Sequence, residues 1–322
     1  MVSPNFRLAS QAQWQQAIKQ PWHDQGIVWQ QQDQVQLLLR DFHWQISCNT
    51  QLSSNDLQAR IKQGLALNLA LEDALLMAIQ PWDTVDDEQI HHGLADLLAT
   101  QVQDSRDPLP LHCQGVQDMG LYAVMPSIEL VHACLDAGLT TVQLRHKGLS
   151  PDLEADLSQC QRLAKQYQAQ VFVNDSWQQG LEAQVFGLHL GQEDCFTADL
   201  PAIAQRGLRL GLSTHGFAEL LRAIRLTPSY VALGHVFATQ TKDMPSTPQG
   251  LERLQQYLWL AKQSGVSCLA IGGIKEQHFN QLAQIGLSSV ALVSAISQAE
   301  KPKAKAGQLR EAWQQAVKQA QS

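Results

Sequence analysis

Two carboxylates, Asp175 and Asp194, stand at the ends of short apolar runs, Val171-Phe-Val173 and Phe186-Gly-Leu-His-Leu190, and a helical pattern follows each. Acids placed where strands give way to loops suit a hard, oxygen-ligated cation such as Mg2+, the kind that also holds substrate phosphates. The other use of an Asp there is to cap the following helix, and for either acid alone both readings stay open. Upstream, period-2 alternation in 140–145 puts Gln143, Arg145 and then Lys147 on one face and Val142 and Leu144 on the other. If the aliphatic face meets helices, the Arg and Lys point into a partly enclosed mouth, where paired cations are costly unless an anion meets them. A surface pair with snorkelling stems is the alternative. The stretch from Gly234 to Lys242 adds Thr239, Thr241 and Lys242, two hydroxyls and an ammonium on a loop, a composition suited to anions. Gly272-Gly273 and Val293-Ser294 are further places where backbone N–H groups can approach a phosphate.

What must position these residues is an alternation of short aliphatic runs and helical patterns from Gly120 onward. The strands fall at 121–125, 140–145, 169–174, 186–190, 208–213, 230–235, 267–272 and 288–293. Helical spacing fills the intervals, over 128–137, 151–167, 178–184, 200–205, 218–225, 251–264 and 277–285, with 309–320 as an eighth helix. Such βα units in about 200 residues predict a parallel (β/α)8 TIM barrel, with its chemistry at the C-terminal ends of the strands. All the residues singled out above lie at those ends. His189, His215 and His235 lie there too, but no acid neighbours them in sequence to suggest a dyad, and a hydrogen-bonded structural role is the reading adopted.

Residues 1–115 differ in texture, rich in Gln and Trp and poor in Gly. Strands are expected at 26–29 and 35–39, the second running on through 43–47 as a hairpin arm. Helices are expected from the Ser53-Ser-Asn-Asp56 cap cluster onward, with a break near Asn68 and another helix over 90–102. Glu72 and Asp73 read as a helix start or a solvated face. Asp104-Ser-Arg-Asp-Pro-Leu-Pro110 has linker composition, which divides the chain into a smaller N-terminal α/β extension, 1–115, and a barrel, 116–322.

The formal net charge of −7 over 322 residues and the lack of a basic run argue against a nucleic-acid partner. No run of about 18 apolar residues and no signal-like N-terminus occur, so a cytoplasmic chain without membrane contact is expected. The six cysteines form no CxxC pair and read as small core residues, Cys195 being notable only for following Asp194.

The motifs Gln143-Leu-Arg-His-Lys147, Val173-Asn-Asp175, His189-Leu-Gly-Gln-Glu-Asp194, Leu212-Ser-Thr-His215, Gly234 through Lys242, Ala270-Ile-Gly-Gly-Ile274 and Val293-Ser-Ala-Ile296 closely resemble those of thiamine phosphate synthases, in the same order over about 118–300. The resemblance implies a transferase of thiamine biosynthesis. Its substrates would be hydroxymethylpyrimidine diphosphate and a thiazole phosphate, carboxylated or plain, with pyrophosphate released. It further implies Mg2+ on Asp175 and Asp194, and Arg145, Lys147 and Lys242 as catalytic cations. Gln143 and Asn174 would hold the pyrimidine diphosphate and Ser213 its aminopyrimidine side, while Thr239, Thr241, Gly273, Val293 and Ser294 would take the thiazole phosphate. Two positions depart from the pattern: His146 stands where many members have Glu, and Ser176 where many have Arg. A related thiazole tautomerase, or a barrel that only senses ligand, is the runner-up; the retained charged residues argue against both. Gly64 to Leu75 also resembles the C-terminal helical part of hydroxymethylpyrimidine phosphate kinases, yet the preceding Ser47–Ser53 has no glycine to cradle a phosphate, so no kinase activity is expected. A degenerate kinase fragment, a homo-oligomerisation module and a docking surface all stay open for residues 1–115.

Overall fold

The computed structural model describes residues 6–17, 19, 23–31, 34–40, 42–47, 52–66, 69–79, 94–104, 106–146, 152–239 and 247–322. By internal contacts it forms two units, Met1–Asp107 with Gly216–Arg225, and Pro108–His215 with Leu226–Ser322. Among the described residues no helix is long and apolar enough to cross a membrane.

The first unit is built on a five-stranded sheet in the order β1 (Phe6–Leu8), β2 (His23–Gln31), β3 (Gln34–Arg40), β4 (Phe42–Ser47) and β5 (Gln101–Asp104). Only β1 pairs parallel; the other neighbours are antiparallel. Helix α1 (Gln11–Ala17) buries Trp14, which stacks on Trp29 at 5.7 Å. Helices α2 (Ser54–Ala66) and α3 (Leu71–Ile79) follow, then a helical stretch, α4, at 94–99. The hairpin arm expected at 43–47 is a strand of its own, β4. The helix expected over 90–102 is corrected: its described part ends at 99, and Val102 is a buried residue of β5, recruited by pairing with Ile46. Residues 90–93 lie outside the described set.

In the second unit the expected barrel closes. Its strands are β6 (Leu121–Met125), β7 (Thr141–Leu144), β8 (Gln170–Asn174), β9 (Gly187–Leu190), β10 (Arg209–Thr214), β11 (Tyr230–Leu233), β12 (Cys268–Ala270) and β13 (Val290–Leu292), all parallel. Between them run α5 (Ile128–Asp136), α6 (Leu153–Tyr167), α7 (Trp177–Glu182), α8 (Leu200–Gln205), α9 (Phe217–Leu226), α10 (Gly250–Gln263) and α11 (Phe279–Gln284); the short α12 (Ser294–Ser297) and the long α13 (Pro302–Ala320) follow β13. By contact, most of α9 belongs to the first unit.

Strands buried on both faces read as near-continuous aliphatic runs because one face fills the barrel and the other meets helices. Here Val142 and Leu144 are buried on the outer parity, while Tyr122, Val124, Phe172, Tyr230, Ala232, Leu269 and Ala291 form the interior cluster, which Met119 enters from the chain before β6. Register sets the interior in layers. Tyr122, Thr141 and Gln170 are level, and one step toward the C-terminal ends Val124, Gln143 and Phe172 are level. The parity assigned to Gln143 from sequence is therefore the observed one.

Candidate active site

The two interior layers differ in how their polar groups are satisfied. On the lower, Gln170 donates through Nε2 to Thr141 Oγ1 at 3.0 Å and accepts from the Gln117 N–H at 2.9 Å. On the upper, Gln143 is 3% exposed and its Nε2 has no hydrogen-bond partner among the described residues. A buried amide donor left unpaired costs on the order of 1–3 kcal/mol, and the usual resolution is a ligand or ordered water.

Across the barrel a chain of hydrogen bonds climbs from the core to the rim. Tyr122 and Tyr230 share their hydroxyls at 3.0 Å, Tyr230 OH meets His189 Nδ1 at 2.8 Å, and His189 Nε2 meets Ser213 Oγ at 2.9 Å. Its polarity follows from satisfaction of the buried end. Burial pushes the Tyr122 hydroxyl well above its usual range, with the Tyr230 hydroxyl adding to the shift, and burial raises Tyr230 likewise, so both phenols keep their protons. Tyr122 has Tyr230 as its hydrogen-bond acceptor, so it donates there; Tyr230 then donates to Nδ1, and Nε2–H donates to Ser213. That tautomer is an assignment from the network. It leaves the Ser213 proton to be donated outward. The hydrogen-bonded role read for His189 is thus observed, and general-base work by its ring would break this chain.

Ser213 is the penultimate residue of β10, and its carbonyl and those of the two residues after it are each held. Gln192 Nε2 donates to Ser213 O at 2.7 Å, Gly234 N–H to Thr214 O at 3.0 Å and Gln249 Nε2 to His215 O at 2.6 Å. His235 is buried and its Nδ1 has no hydrogen-bond partner among the described residues; burial lowers its pKa, and the nearby His215 imidazole lowers it further.

The acids follow adjacent strands, Asp175 directly after β8 and Asp194 four residues after β9. Asn174 is level with His189, and Asp175 just beyond donates its N–H to His189 O at 3.0 Å. Asp175 is solvent-exposed and held at φ 59°, a left-handed conformation uncommon for a residue with a Cβ. Asp194 opens a 3-10 turn, Asp194–Phe196, and its Oδ2 accepts from Gly191 N–H at 3.2 Å. Cys195 in that turn is buried, its Sγ donating to Gly191 O at 3.2 Å, as a structural cysteine would. Among the described residues no three His, Cys, Asp or Glu side chains gather as a ligand cage. Each of the two acids is a hard oxygen donor of the type that could hold a Mg2+.

Arg145 follows β7 and is half-buried, and no carboxylate among the described residues pairs with it. Its neighbour His146 instead meets Asp156 at 3.0 Å. Thr239 is half-buried after β11, whereas Lys147, Thr241 and Lys242 lie outside the described residues. Gly273 (φ 67°) follows β12, and a Cβ there would stand 2.5 Å from Ala238 O and 2.6 Å from Phe237 O, so only glycine allows this close approach of the two loops. Val293 precedes α12 and Ser294 opens it, the short helix after the eighth strand that this fold commonly uses for phosphate. Gln192, Gln249, Tyr122 and Tyr230 were not singled out from sequence. Gln192 lies inside the Gly191–Asp194 stretch, and interior parity on β6 marks Tyr122. A cavity of about 450 Å3 opens elsewhere, among Gln117, Gln161, Lys165, Gln170, Phe186 and Arg209, and none of the strand-end residues lines it.

Residues 117–296 match the family model described as thiamine monophosphate synthase. The thiamine-phosphate synthase of Serratia proteamaculans is 49% identical over 192 residues, 59% of this chain and 90% of the relative. That of Neisseria meningitidis serogroup A is 45% identical over 193 residues, 60% of this chain and 93% of the relative. Among solved structures, the thiamine phosphate pyrophosphorylase from Pyrococcus furiosus superposes with a TM-score of 0.55 at 26% identity, over 62% of this chain and 98% of that one. The chain belongs to the thiamine monophosphate synthase family, whose enzymes are transferases.

Proposed function

We propose that the barrel joins 4-amino-2-methyl-5-hydroxymethylpyrimidine diphosphate to a thiazole phosphate, giving thiamine phosphate and pyrophosphate. The observation that carries this reading is the Gln143 amide, unpartnered among the described residues, level in the barrel with the core and close in sequence to Arg145, with which no described carboxylate pairs, in a chain of this family. In this reaction the bond from the pyrimidine methylene to the diphosphate oxygen breaks first, and its electron pair leaves with pyrophosphate. The exocyclic amine shares the cation left on the methylene, and the thiazole nitrogen lone pair then forms the new C–N bond. The nucleophile carries no proton to be removed. That agrees with a site in which both ring nitrogens of His189 are already engaged.

The work left to the protein is orientation and charge. Gln143, Asn174 and Ser213 hold the pyrimidine, Ser213 donating to a ring nitrogen. Arg145, Lys147 and Lys242 meet the charge that builds on the leaving group. Thr239, Thr241, Gly273, Val293 and Ser294 take the thiazole phosphate. Asp175 and Asp194 would hold Mg2+, which when bound would offset part of the diphosphate charge.

The purified chain, supplied with both substrates and Mg2+, is expected to release pyrophosphate and form thiamine phosphate in equal amounts. Isomerised thiazole phosphate without pyrophosphate, or ligand binding without product, would overturn the reading. Asp175→Asn is expected to raise the Mg2+ concentration needed for half-maximal rate; an unchanged Mg2+ titration counts against the metal assignment.

A further inference from the structure

Helix α9 begins four residues after Ser213. Gly216, just before it, has no side chain to offer as a cap, and the Thr214 hydroxyl is committed to Ala232 O at 3.1 Å. The cap comes from far away in sequence. Asp73, in the first turn of α3 and only 3% exposed, accepts the N–H of Phe217 through Oδ2 at 3.0 Å and that of Ala218 through Oδ1 at 2.9 Å. Both bonds lie inside the first unit, to which this end of α9 belongs. A Cβ at Gly216 would stand 2.6 Å from Asp73 Oδ2, so glycine leaves room for the carboxylate. The same helix is gripped further along, where the buried Arg222 donates from Nε to Asp107 Oδ1 at 2.8 Å and Oδ2 at 2.9 Å.

We infer that Asp73 is a positioning residue for the transferase reaction, fixing the first turn of α9 and through it the Ser213–Gly216 segment at the end of β10. The inference rests on the role proposed above for Ser213. Two physical effects make the carboxylate effective. It satisfies two of the helix's orphan amides, and it places a negative charge against the positive end of the helix dipole. The carbonyls of residues 213–216 are each bonded, the last to Leu220 N–H at 3.1 Å. The amides on the helix side are where Asp73 acts. Without it the segment is anchored from the strand side alone, and the hold on the Ser213 side chain loosens.

The test uses the full chain with Asp73→Ala, Asp73→Asn and Ser213→Ala, read by steady-state kinetics and by hydrogen exchange of the amides at 217–218. In Asp73→Ala, exchange there is expected to accelerate by about tenfold and KM for the pyrimidine diphosphate to rise about fivefold, with kcat within about twofold of the parent. Asp73→Asn keeps the shape and one acceptor oxygen, so it should recover part of both effects even if the alanine variant folds poorly. Unchanged exchange in both Asp73 variants overturns the inference. So does an unchanged KM in both when Ser213→Ala raises it, since Asp73 would then serve stability alone. Absence of product from the parent chain, or an unchanged KM in Ser213→Ala, counts instead against the proposed reaction or the role given to Ser213.

Discussion

Gln143 and Gln170 stand on neighbouring strands of the same barrel, one interior layer apart, and they are used in opposite ways. Gln170 sits toward the N-terminal ends, fully engaged by Thr141 and Gln117 and close to a floor where Ser289 links Gly120 and Asp118. Gln143 sits toward the C-terminal ends with an amide nitrogen that no described residue meets. The same side chain is a structural bond in one layer and an unfilled donor in the next. Within one barrel, then, the engaged glutamine lies toward the N-terminal strand ends, and the one with an unmet donor among the described residues lies toward the C-terminal ends, where this fold places its chemistry.

The sharpest way to break this contrast is through the cations. Lys147→Ala or Lys242→Ala, the lysines proposed to meet the leaving group, should lower the single-turnover rate by on the order of 100-fold, as loss of a preorganised charge partner does. Lys165→Ala, in the cavity beside Gln170, should change it by less than about twofold. Near-parental single-turnover rates in both loop variants would sink the assignment of these lysines.

The glutamines supply the next test. Gln143→Leu removes a buried donor that has no partner, so stability should hold or rise by up to about 1 kcal/mol while KM for the pyrimidine diphosphate rises about tenfold. Gln170→Leu strands Thr141 and the Gln117 amide and should cost about 1–3 kcal/mol, leaving the kinetics of the folded fraction unchanged. Denaturant melts beside KM values decide it; two variants with the same profile would remove the distinction between the layers.

How much of this was legible in the sequence follows the same division. The eight barrel strands were readable because each is an aliphatic run buried on both faces, and their observed bounds differ from the expected ones mainly at the ends, where pairing decides. The interior placement of Gln143 was readable from parity. Interactions that exist only through long-range proximity were not. Val102 continued the helical spacing of Leu94 and Leu97, and only the neighbouring Ile46 makes it a strand residue. Asp73 was read as a helix start or a solvated face; it does lie in the first turn of α3, yet it is buried against amides 144 and 145 residues away. The start of α13 at Pro302 and the short α12 were missed as well. Alanine and lysine between 302 and 308 gave little apolar periodicity, although Pro at the first turn is a recognised helix opening.

The smallest expected effect probes the direction of the chain that links the two layers. If Tyr122 donates to Tyr230 and Tyr230 to His189, the two phenols are unequal, though both are buried and both stay protonated. Tyr230→Phe takes the donor from Nδ1, frees the imidazole to change tautomer and lets the Ser213 proton turn inward. KM for the pyrimidine diphosphate should then rise about fivefold, the worth of one modest hydrogen bond. Tyr122→Phe removes a donor from the far end but leaves the Tyr230-to-His189 bond intact, so its KM should move by less than about twofold. Equal effects would mean that the chain runs the other way, with Ser213 donating into the barrel and accepting from the ligand, and the hydrogen-bonding face offered to the pyrimidine would have to be reversed.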